Sequence, residues 1–442
     1  MKIVLELNEI CPGLLDRYGA QGLLPAFSAL RPDAARYVTQ AKDEDLEPWV
    51  QWVTLHTGQP QTEHGVRRLD EGHRVASRRL WDRTAESGQD TLVFGSMNGD
   101  AVPSSRLSLL PDFWASGVQA TDDTLAFTHR FLSAQVSEHV NPAASIGKAD
   151  ALRFAGLLAR NGLSARTAAL AAVQLARERT GGTDSTWHRA CVLDQIQWDV
   201  FRHRMKRENV ETGFFFANSV AYLQHRYWRH VEPEAYARPP TPEAAFAYGD
   251  AVPTGYRRLD GIVRQARDMV GPDGTLIIVS ALSQQANTAY EEIGGKFVYR
   301  AYDFAEVLDW IGLEPVSVRP VMTHEALATF TDAESAKEAR DRLLSLKTLA
   351  GEPVFIADAE GNRVAFQCRF VSEVADDLVI VGPRGERLFA DLFSLVGEVN
   401  ASKHAREGVF WIIGPGATPG DHGTIDLLDA NGLMRDALGI PA

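Results

Sequence analysis

Four short, mostly apolar segments, each followed by polar or small residues, constrain the fold of this chain more than any other feature. Their sequences and lengths predict buried β-strands. Long helical patterns lie between them, as in α/β proteins with a parallel central sheet. In such sheets ligands bind beyond the carboxyl ends of the strands, so the residues after each segment are the first candidates for a site. The segments are residues 3–7, 91–95, 214–217 and 275–280.

A fifth segment predicts a short helix. Pro48 suits the first helical position, because the missing N–H costs nothing there, and Gly58 is a suitable C-terminal stop. Glu47 precedes the helix, where the helix dipole favours an ionised carboxylate. We therefore expect a low pKa for Glu47. Glu47 could then serve as a nucleophile, as a base or as the oxygen ligand of a metal. The competing interpretation is that it only caps the helix.

Several motifs in this order resemble one known family. Trp49-x-x-Trp52-(x)4-Thr57-Gly58 is followed by His64-Gly65-Val66, and a His-x-x-x-Gly segment begins at His404 and leads to Gly414-Pro415-Gly416. The sequence resembles the type I phosphodiesterase / nucleotide pyrophosphatase branch of the alkaline phosphatase superfamily. The resemblance implies an alkaline-phosphatase-like α/β/α sandwich with a largely parallel central sheet and a binuclear metal site.

The pattern between the motifs suggests two additions to that core. Residues 121–206 predict a helical insertion, which would form a lid or a homo-oligomer interface. Residues 323–398 predict a small α+β cap. The core then comprises residues 1–120, 207–322 and 399–442.

Most of the family's metal-binding and nucleophilic positions are changed in this chain. The resemblance places His225 and His404 at two metal-binding positions that are kept, with Asn8 at a weakened third position. The remaining positions hold residues that neither bind a metal nor attack a substrate: Pro48, Ala221, Ala281 and Leu282. We therefore expect no binuclear zinc centre and at most one divalent metal. It would be held by His225 and His404 with an oxygen from Asn8, Glu9 or Glu47.

The same alignment gathers polar residues around a cleft that suits acid–base chemistry. Glu47, His225 and His404 are the candidate catalytic residues, and the candidate substrate-binding residues are Asn8, Glu9, Gln284 and Arg406. The arginine would hold a phosphate or carboxylate. We expect a divergent hydrolase or group transferase acting on a phosphate- or sulfate-bearing, nucleotide- or sugar-linked small molecule. The alternative is a non-catalytic relative that binds an anionic ligand or scaffolds a partner.

Composition limits the classes of partner and the cellular location that we expect. A net charge of −13 disfavours a general nucleic-acid or anionic-membrane surface. The cysteines, which number three, are far apart and form no C-x-x-C motif, so neither a disulfide framework nor a cysteine-rich zinc site is expected. No apolar run reaches the roughly 18 residues of a membrane span. These features, with no signal-peptide pattern before the first strand, predict a cytoplasmic protein.

Overall fold

The computed structural model describes residues 1–115, 117–140, 148–180, 184–293, 295–321, 324–397 and 401–441. The amino-terminal part alternates strands and helices. Its elements are β1 (Lys2–Leu7), α1 (Pro12–Ala20), α2 (Pro25–Leu30), β2 (Ala35–Gln40), α3 (Pro48–Thr57), α4 (Gln61–His64), α5 (Leu80–Glu86), β3 (Thr91–Phe94) and β4 (Leu107–Leu110).

Four helices follow, and the chain then returns to the alternating pattern. The helices are α6 (Asp123–Val140), α7 (Lys148–Arg160), α8 (Ala165–Thr180) and α9 (His188–Arg207). The next elements are β5 (Thr212–Ala217), α10 (Ser219–Tyr227), α11 (Pro242–Tyr248), α12 (Ala251–Val270), β6 (Thr275–Val279) and β7 (Ser283–Ala286).

The remaining chain forms a smaller α+β unit and returns to the core at its end. The smaller unit contains β8 (Val298–Ala301), α13 (Phe304–Trp310), β9 (Ser317–Val321), β10 (Glu325–Thr329), α14 (Ala333–Ser345), β11 (Lys347–Thr348), β12 (Phe355–Glu360), β13 (Arg363–Cys368), β14 (Val379–Gly382), β15 (Gly385–Leu388), α15 (Phe389–Leu392) and β16 (Phe393–Gly397). The last elements are β17 (Ser402–Ala405), β18 (Glu407–Ile413), β19 (Gly420–Asp426) and α16 (Leu427–Leu438).

Within the described residues, eight strands form a central sheet in the order β19-β2-β18-β6-β1-β5-β3-β4. Strand β18 runs antiparallel to both of its neighbours, and the other pairings are parallel. The predicted α/β class with a largely parallel central sheet is confirmed. The sheet contains the predicted strands at residues 3–7, 91–95, 214–217 and 275–280.

Hydrophobic side chains cover both faces of this sheet, which makes the core an α/β/α sandwich. In β1, Ile3 and Leu5 belong to the cluster under α1, α2, α9, α10 and α12, whereas Val4 belongs to the cluster under α3, α5 and α16. This alternation follows from the two-residue period of a strand. Because both faces are covered, the inner strands β1, β3, β5 and β6 are buried almost throughout.

Helix α9 ties the helical segment to the core. Trp198 packs edge-on against Phe215 of β5 at 5.1 Å between ring centroids. Helix α8 exposes about half of the side chains of Val173 and Leu175. The predicted role of residues 121–206 as a lid or an oligomer interface stays a prediction, as does the division into domains.

The smaller unit has its own hydrophobic cluster, formed by side chains between Tyr299 and Phe393. It contacts the core through ion pairs that include Arg363 with Glu71 at 3.1 Å, Arg68 with Asp358 at 2.7 Å, and Arg319 with Asp70. The predicted cap boundaries at 322/323 and 398/399 lie outside the described residues.

Among the described residues, no helix is long and apolar enough to cross a membrane.

Close packing of β18 on its neighbours gives a stability prediction at Gly408. A Cβ at this position would lie 2.2 Å from the Ser280 carbonyl oxygen and 2.4 Å from Thr39 Oγ1. Gly408→Ala is therefore expected to destabilise the fold by about 1–3 kcal/mol, because backbone atoms must move. Gly261→Ala is the control, since a Cβ there meets nothing within 4 Å among the described residues. It lies inside α12 and should gain about 0.5–1 kcal/mol. Equal thermal unfolding midpoints for both variants would contradict the prediction.

Candidate metal and active site

The candidate site lies at the carboxyl edge of the parallel strands, where β1 ends at Leu7 and Asn8 and Glu9 follow. His225 comes from α10, which follows the neighbouring strand β5. His404 comes from β17, which pairs with β7 and places His404 opposite Gln284. Three separate parts of the chain therefore supply the side chains.

The Glu9 carboxylate lies at the centre of the site. Its Oε2 is 3.1 Å from Nε2 of His225 and 3.7 Å from Nε2 of His404. Gln284 Nε2 donates a hydrogen bond to the same oxygen, and Asn8 Nδ2 donates to Oε1 at 3.0 Å. Ligand atoms of Glu9, His225 and His404 all lie within 4.8 Å of one another. This arrangement suits a metal ion with two nitrogen ligands and one oxygen ligand.

The backbone at Glu9 has an uncommon conformation. Its φ is +60°, in the left-handed region that glycine favours. The side chain held in this conformation supplies the central carboxylate.

Polar groups lie beside the Nδ1 atoms of both histidines. Ser402 Oγ lies 3.3 Å from Nδ1 of His225 and donates to Oε1 of Gln284. The Ala401 N–H donates to the His225 carbonyl oxygen at 2.8 Å. Oε2 of Glu47 lies 3.6 Å from Nδ1 of His404. Nε2 of His404 is buried and lacks a hydrogen-bond partner among the described residues.

Charges and burial set the proton affinities of the three central groups. Burial alone would raise the pKa of Glu9, but the charges of His225 and His404, with hydrogen bonds from His225 and Gln284, lower it to about 2. Burial opposes protonation of His225, but Glu9 outweighs it and raises the pKa. Burial lowers the pKa of His404, against the charge of Glu9. The central carboxylate is thus ionised, and a metal ion bound here would replace the proton that Glu9 favours on His225.

Glu47 departs from two sequence-based expectations. Burial, followed by the charges of Asp45 and Glu9, raises the pKa of Glu47 to about 7. The expectation of a low pKa is therefore wrong, because these effects outweigh the helix dipole. Nor does the side chain cap α3, since it accepts no hydrogen bond from the amino end of the helix. It faces His404 instead.

The other predicted site residues make different kinds of contact in the structure. Asn8 is beside Glu9, but its Oδ1 accepts from Trp52 Nε1 at 2.8 Å. Glu9, and not Asn8, is therefore the third possible metal ligand beside His225 and His404. Arg406 Nη1 donates to the carbonyl oxygens of Ala41 and Asp43, both at 2.9 Å. Its contacts thus hold the segment that leads to α3.

The residues at the metal-binding positions that this chain has lost are packed in the core. Ala281 and Leu282 have no exposed surface, and Ala221 is 2% exposed. Apolar side chains at these positions offer no ligand atom. The residues present do not fit a binuclear centre, whereas Glu9, His225 and His404 fit one ion.

Ser402 and Trp52 were not identified from the sequence as parts of the site. Ser402 precedes His404 by two residues in β17, and side chains two residues apart in a strand share one face. That spacing was the available signal. Trp52 carried no comparable signal, because a tryptophan at helical spacing also suits a core position.

The fold and site define an α/β/α sandwich with a two-histidine, one-carboxylate group at the carboxyl edge of its sheet. No protein-family model matches the chain, and no curated protein shows significant sequence similarity.

Solved structures with a similar fold include murine ectonucleotide pyrophosphatase / phosphodiesterase 5, with 11% identity and a TM-score of 0.43. Phosphonoacetate hydrolase from Sinorhizobium meliloti 1021, in complex with phosphonoacetate, has 14% identity and a TM-score of 0.40. The human ectonucleotide pyrophosphatase / phosphodiesterase 5 has 10% identity and a TM-score of 0.41. Each alignment covers 100% of this chain and 95% of the other. These values are too low to bear on the activity of this chain.

Proposed function

We propose that this chain binds one divalent metal ion through Glu9, His225 and His404 and acts on a phosphate- or sulfate-bearing small molecule by hydrolysis or group transfer. The observation that carries the proposal is the convergence of these three side chains around one point. Ligand bonds to zinc of about 2.0–2.2 Å place neighbouring ligand atoms of a tetrahedral site about 3.3 Å apart. The 3.1 Å and 3.7 Å separations from Glu9 Oε2 to the two Nε2 atoms bracket that distance.

The groups behind the histidines support the same proposal. A metal-binding histidine usually has its other ring nitrogen beside a carboxylate, carbonyl or water, which fixes the ring and its tautomer. Glu47 lies in that position for His404, and the hydroxyl of Ser402 does so for His225. We assign Glu47 as a positioning residue for His404.

The substrate class comes from the sequence motifs and from the charges of the site. Ionised Glu9 would repel an anionic substrate unless a cation were bound. A bound divalent ion supplies positive charge for a phosphoryl or sulfuryl oxygen and lowers the pKa of a bound water. Glu47, whose Oε2 lies beside Nδ1 of His404, would hold or release a proton there.

The absence of a hydroxyl at the family's nucleophile position also shapes the proposal. Pro48 offers no attacking atom. Water is therefore the proposed nucleophile for hydrolysis.

A non-catalytic, ligand-binding role is the second candidate. The observation that favours it is the direct contact between Glu9 and His225, which gives the two groups charged partners without any ion. In this case the cleft would bind an anionic ligand or present a surface to a partner protein, without turnover.

Metal content and turnover distinguish the candidates. Protein purified without chelator should contain about one equivalent of zinc or manganese by elemental analysis. It should hydrolyse at least one of bis(p-nitrophenyl) phosphate, p-nitrophenyl phosphate and p-nitrophenyl sulfate, and EDTA should abolish the activity. One bound metal without turnover of any ester would favour the binding role. Absence of metal would refute the metal site, and two equivalents would contradict the mononuclear assignment.

Glu47→Gln tests the positioning role. The variant keeps the size of the side chain but removes the negative charge beside Nδ1 of His404. Metal affinity should therefore fall by about 10–100-fold. Competition with a fluorescent chelator measures this change, and circular dichroism checks the fold. Glu44→Gln is the matched control, because it removes a nearby exposed carboxylate and should leave the affinity unchanged. Equal affinities for the two variants would show that Glu47 does not position a ligand.

A further inference from the structure

A cavity of about 500 Å³ on the helical segment is lined mainly by basic side chains. The cavity lies apart from the candidate metal site and shares no residue with it. Its lining consists of Gly162, Asp199, Arg202, His203, Lys206 and Arg207.

Such a concentration of positive charge is unexpected in this protein. Five of the six residues from Arg202 to Arg207 are basic, although the chain as a whole has a net charge of −13. Lys206 and Arg207 are exposed, so their charged groups reach solvent and any bound molecule.

Carboxylates neutralise only part of this charge. Asp199 accepts a hydrogen bond from the Ser164 N–H at 2.9 Å and pairs with Arg202 at 3.2 Å. Arg207 pairs with Glu208 at 2.7 Å. Over the described ranges, no carboxylate forms an ion pair with Lys206 or His203. The cavity therefore keeps a surplus of positive charge.

Packed elements fix the walls of the cavity. Gly162, with φ of +95°, turns the chain between α7 and α8 directly onto His203, where a Cβ at Gly162 would lie 2.3 Å from the His203 Cβ. On the other side, Arg204 is held by Asp122 at 2.8 Å and Glu208 at 3.0 Å, which secures the last turn of α9. The basic side chains thus project from an ordered frame.

We propose that this cavity is a second, metal-independent binding site for a small molecule with two or more negative charges on phosphate or sulfate groups. Lysine supplies a mobile point charge for such oxygens, and arginine supplies paired N–H donors. The volume lies within the usual range for small-molecule sites.

The two proposed sites lie near different parts of helix α9. Asp194 of α9 accepts from the backbone N–H groups of Asn218 and Ser219, and Asn218 contacts Asn8 beside Glu9. Lys206 lies twelve residues further along α9, which corresponds to about 18 Å of helix.

Titration with inorganic pyrophosphate in EDTA at low ionic strength tests the proposal by isothermal calorimetry. We expect saturable binding that weakens with added salt, because exposed charges are screened. Lys206→Glu should weaken this binding by about tenfold or more, since it exchanges an attraction for a repulsion. Lys337→Glu is the matched control, because it reverses an exposed lysine charge on helix α14. It should leave the affinity unchanged.

The His404→Ala variant separates this site from the metal site and should bind pyrophosphate as the wild type does. Loss of binding in that variant would place the anion at the metal site and overturn the proposal. Equal affinity in the wild type and Lys206→Glu would also overturn it, as would the absence of measurable binding at low salt. Failure of the metal site alone would leave these results unchanged, because the titration contains EDTA.

Discussion

Glu9→Gln is expected to abolish stoichiometric zinc binding, with a loss of affinity greater than about a hundredfold, because it removes the charged member of a three-residue ligand set. The prediction depends on the metal site proposed above. Elemental analysis and chelator competition measure the loss, and Glu44→Gln is the charge-matched surface control.

Two further variants show which residue supplies the oxygen ligand. Glu9→Gly suits the backbone, because glycine adopts φ near +60° without strain, and it should fold yet bind no zinc. Asn8→Ala tests Asn8, another oxygen ligand that the sequence allowed beside Glu9 and Glu47. Full zinc occupancy in Glu9→Gly, with loss in Asn8→Ala, would show that Asn8 is the ligand.

Glu6→Gln is expected to stabilise the protein at pH 8 by several kcal/mol relative to the wild type. Glu6 has no exposed surface and lies in β1, on the face covered by α3. Its Oε2 accepts from Ser96 Oγ at 2.6 Å, and its Oε1 is 3.4 Å from Nε2 of His56. Burial raises the pKa of Glu6 to about 8, against the hydrogen bond from Ser96. Burial and the charge of Arg79 lower the pKa of His56 to about 3, so His56 supplies no positive charge.

The direction of the effect follows from proton binding. Between pH 4.5 and about 8 the folded state holds the Glu6 proton that the unfolded chain has released. The contribution of Glu6 to the stability of the wild type therefore falls as pH rises through this interval, by about 1.4 kcal/mol for each pH unit, or up to roughly 4 kcal/mol in all. Glutamine carries no proton to lose, so its advantage grows over the same interval.

His56 acts in the opposite direction at lower pH. It is neutral when folded, so its contribution to stability is lost as pH falls from 6.5 towards 3. The two effects oppose each other between pH 4.5 and 6.5, and Glu6 alone acts from 6.5 to 8.

Chemical unfolding at pH 5, 6.5 and 8 measures the difference between Glu6→Gln and the wild type. Ser96→Ala is the control, because it keeps the carboxyl group and should keep the decline with pH. A difference between Glu6→Gln and the wild type that is the same at pH 5 and 8 would show that Glu6 does not titrate in this interval.

Local sequence determined most of the secondary structure that frames the site. Apolar runs identified four of the eight strands of the described sheet, because strands covered on both faces need mostly apolar side chains. Pro48 and Gly58 set the ends of α3, as predicted, and Gly58 adopts a φ of +69°. The resemblance of the motifs to a known family, rather than a local pattern, singled out His225 and His404.

Only the tertiary structure decided how the site is assembled. The backbone at Glu9 turns its carboxylate between two histidines, and the pairing of β17 with β7 brings His404 opposite Gln284. The pKa of Glu47 is raised by burial and by charges from other segments, which a local argument from the helix dipole does not contain. Sequence patterns report short-range preferences, whereas distances between distant segments and the desolvation of charges arise only when the chain is packed.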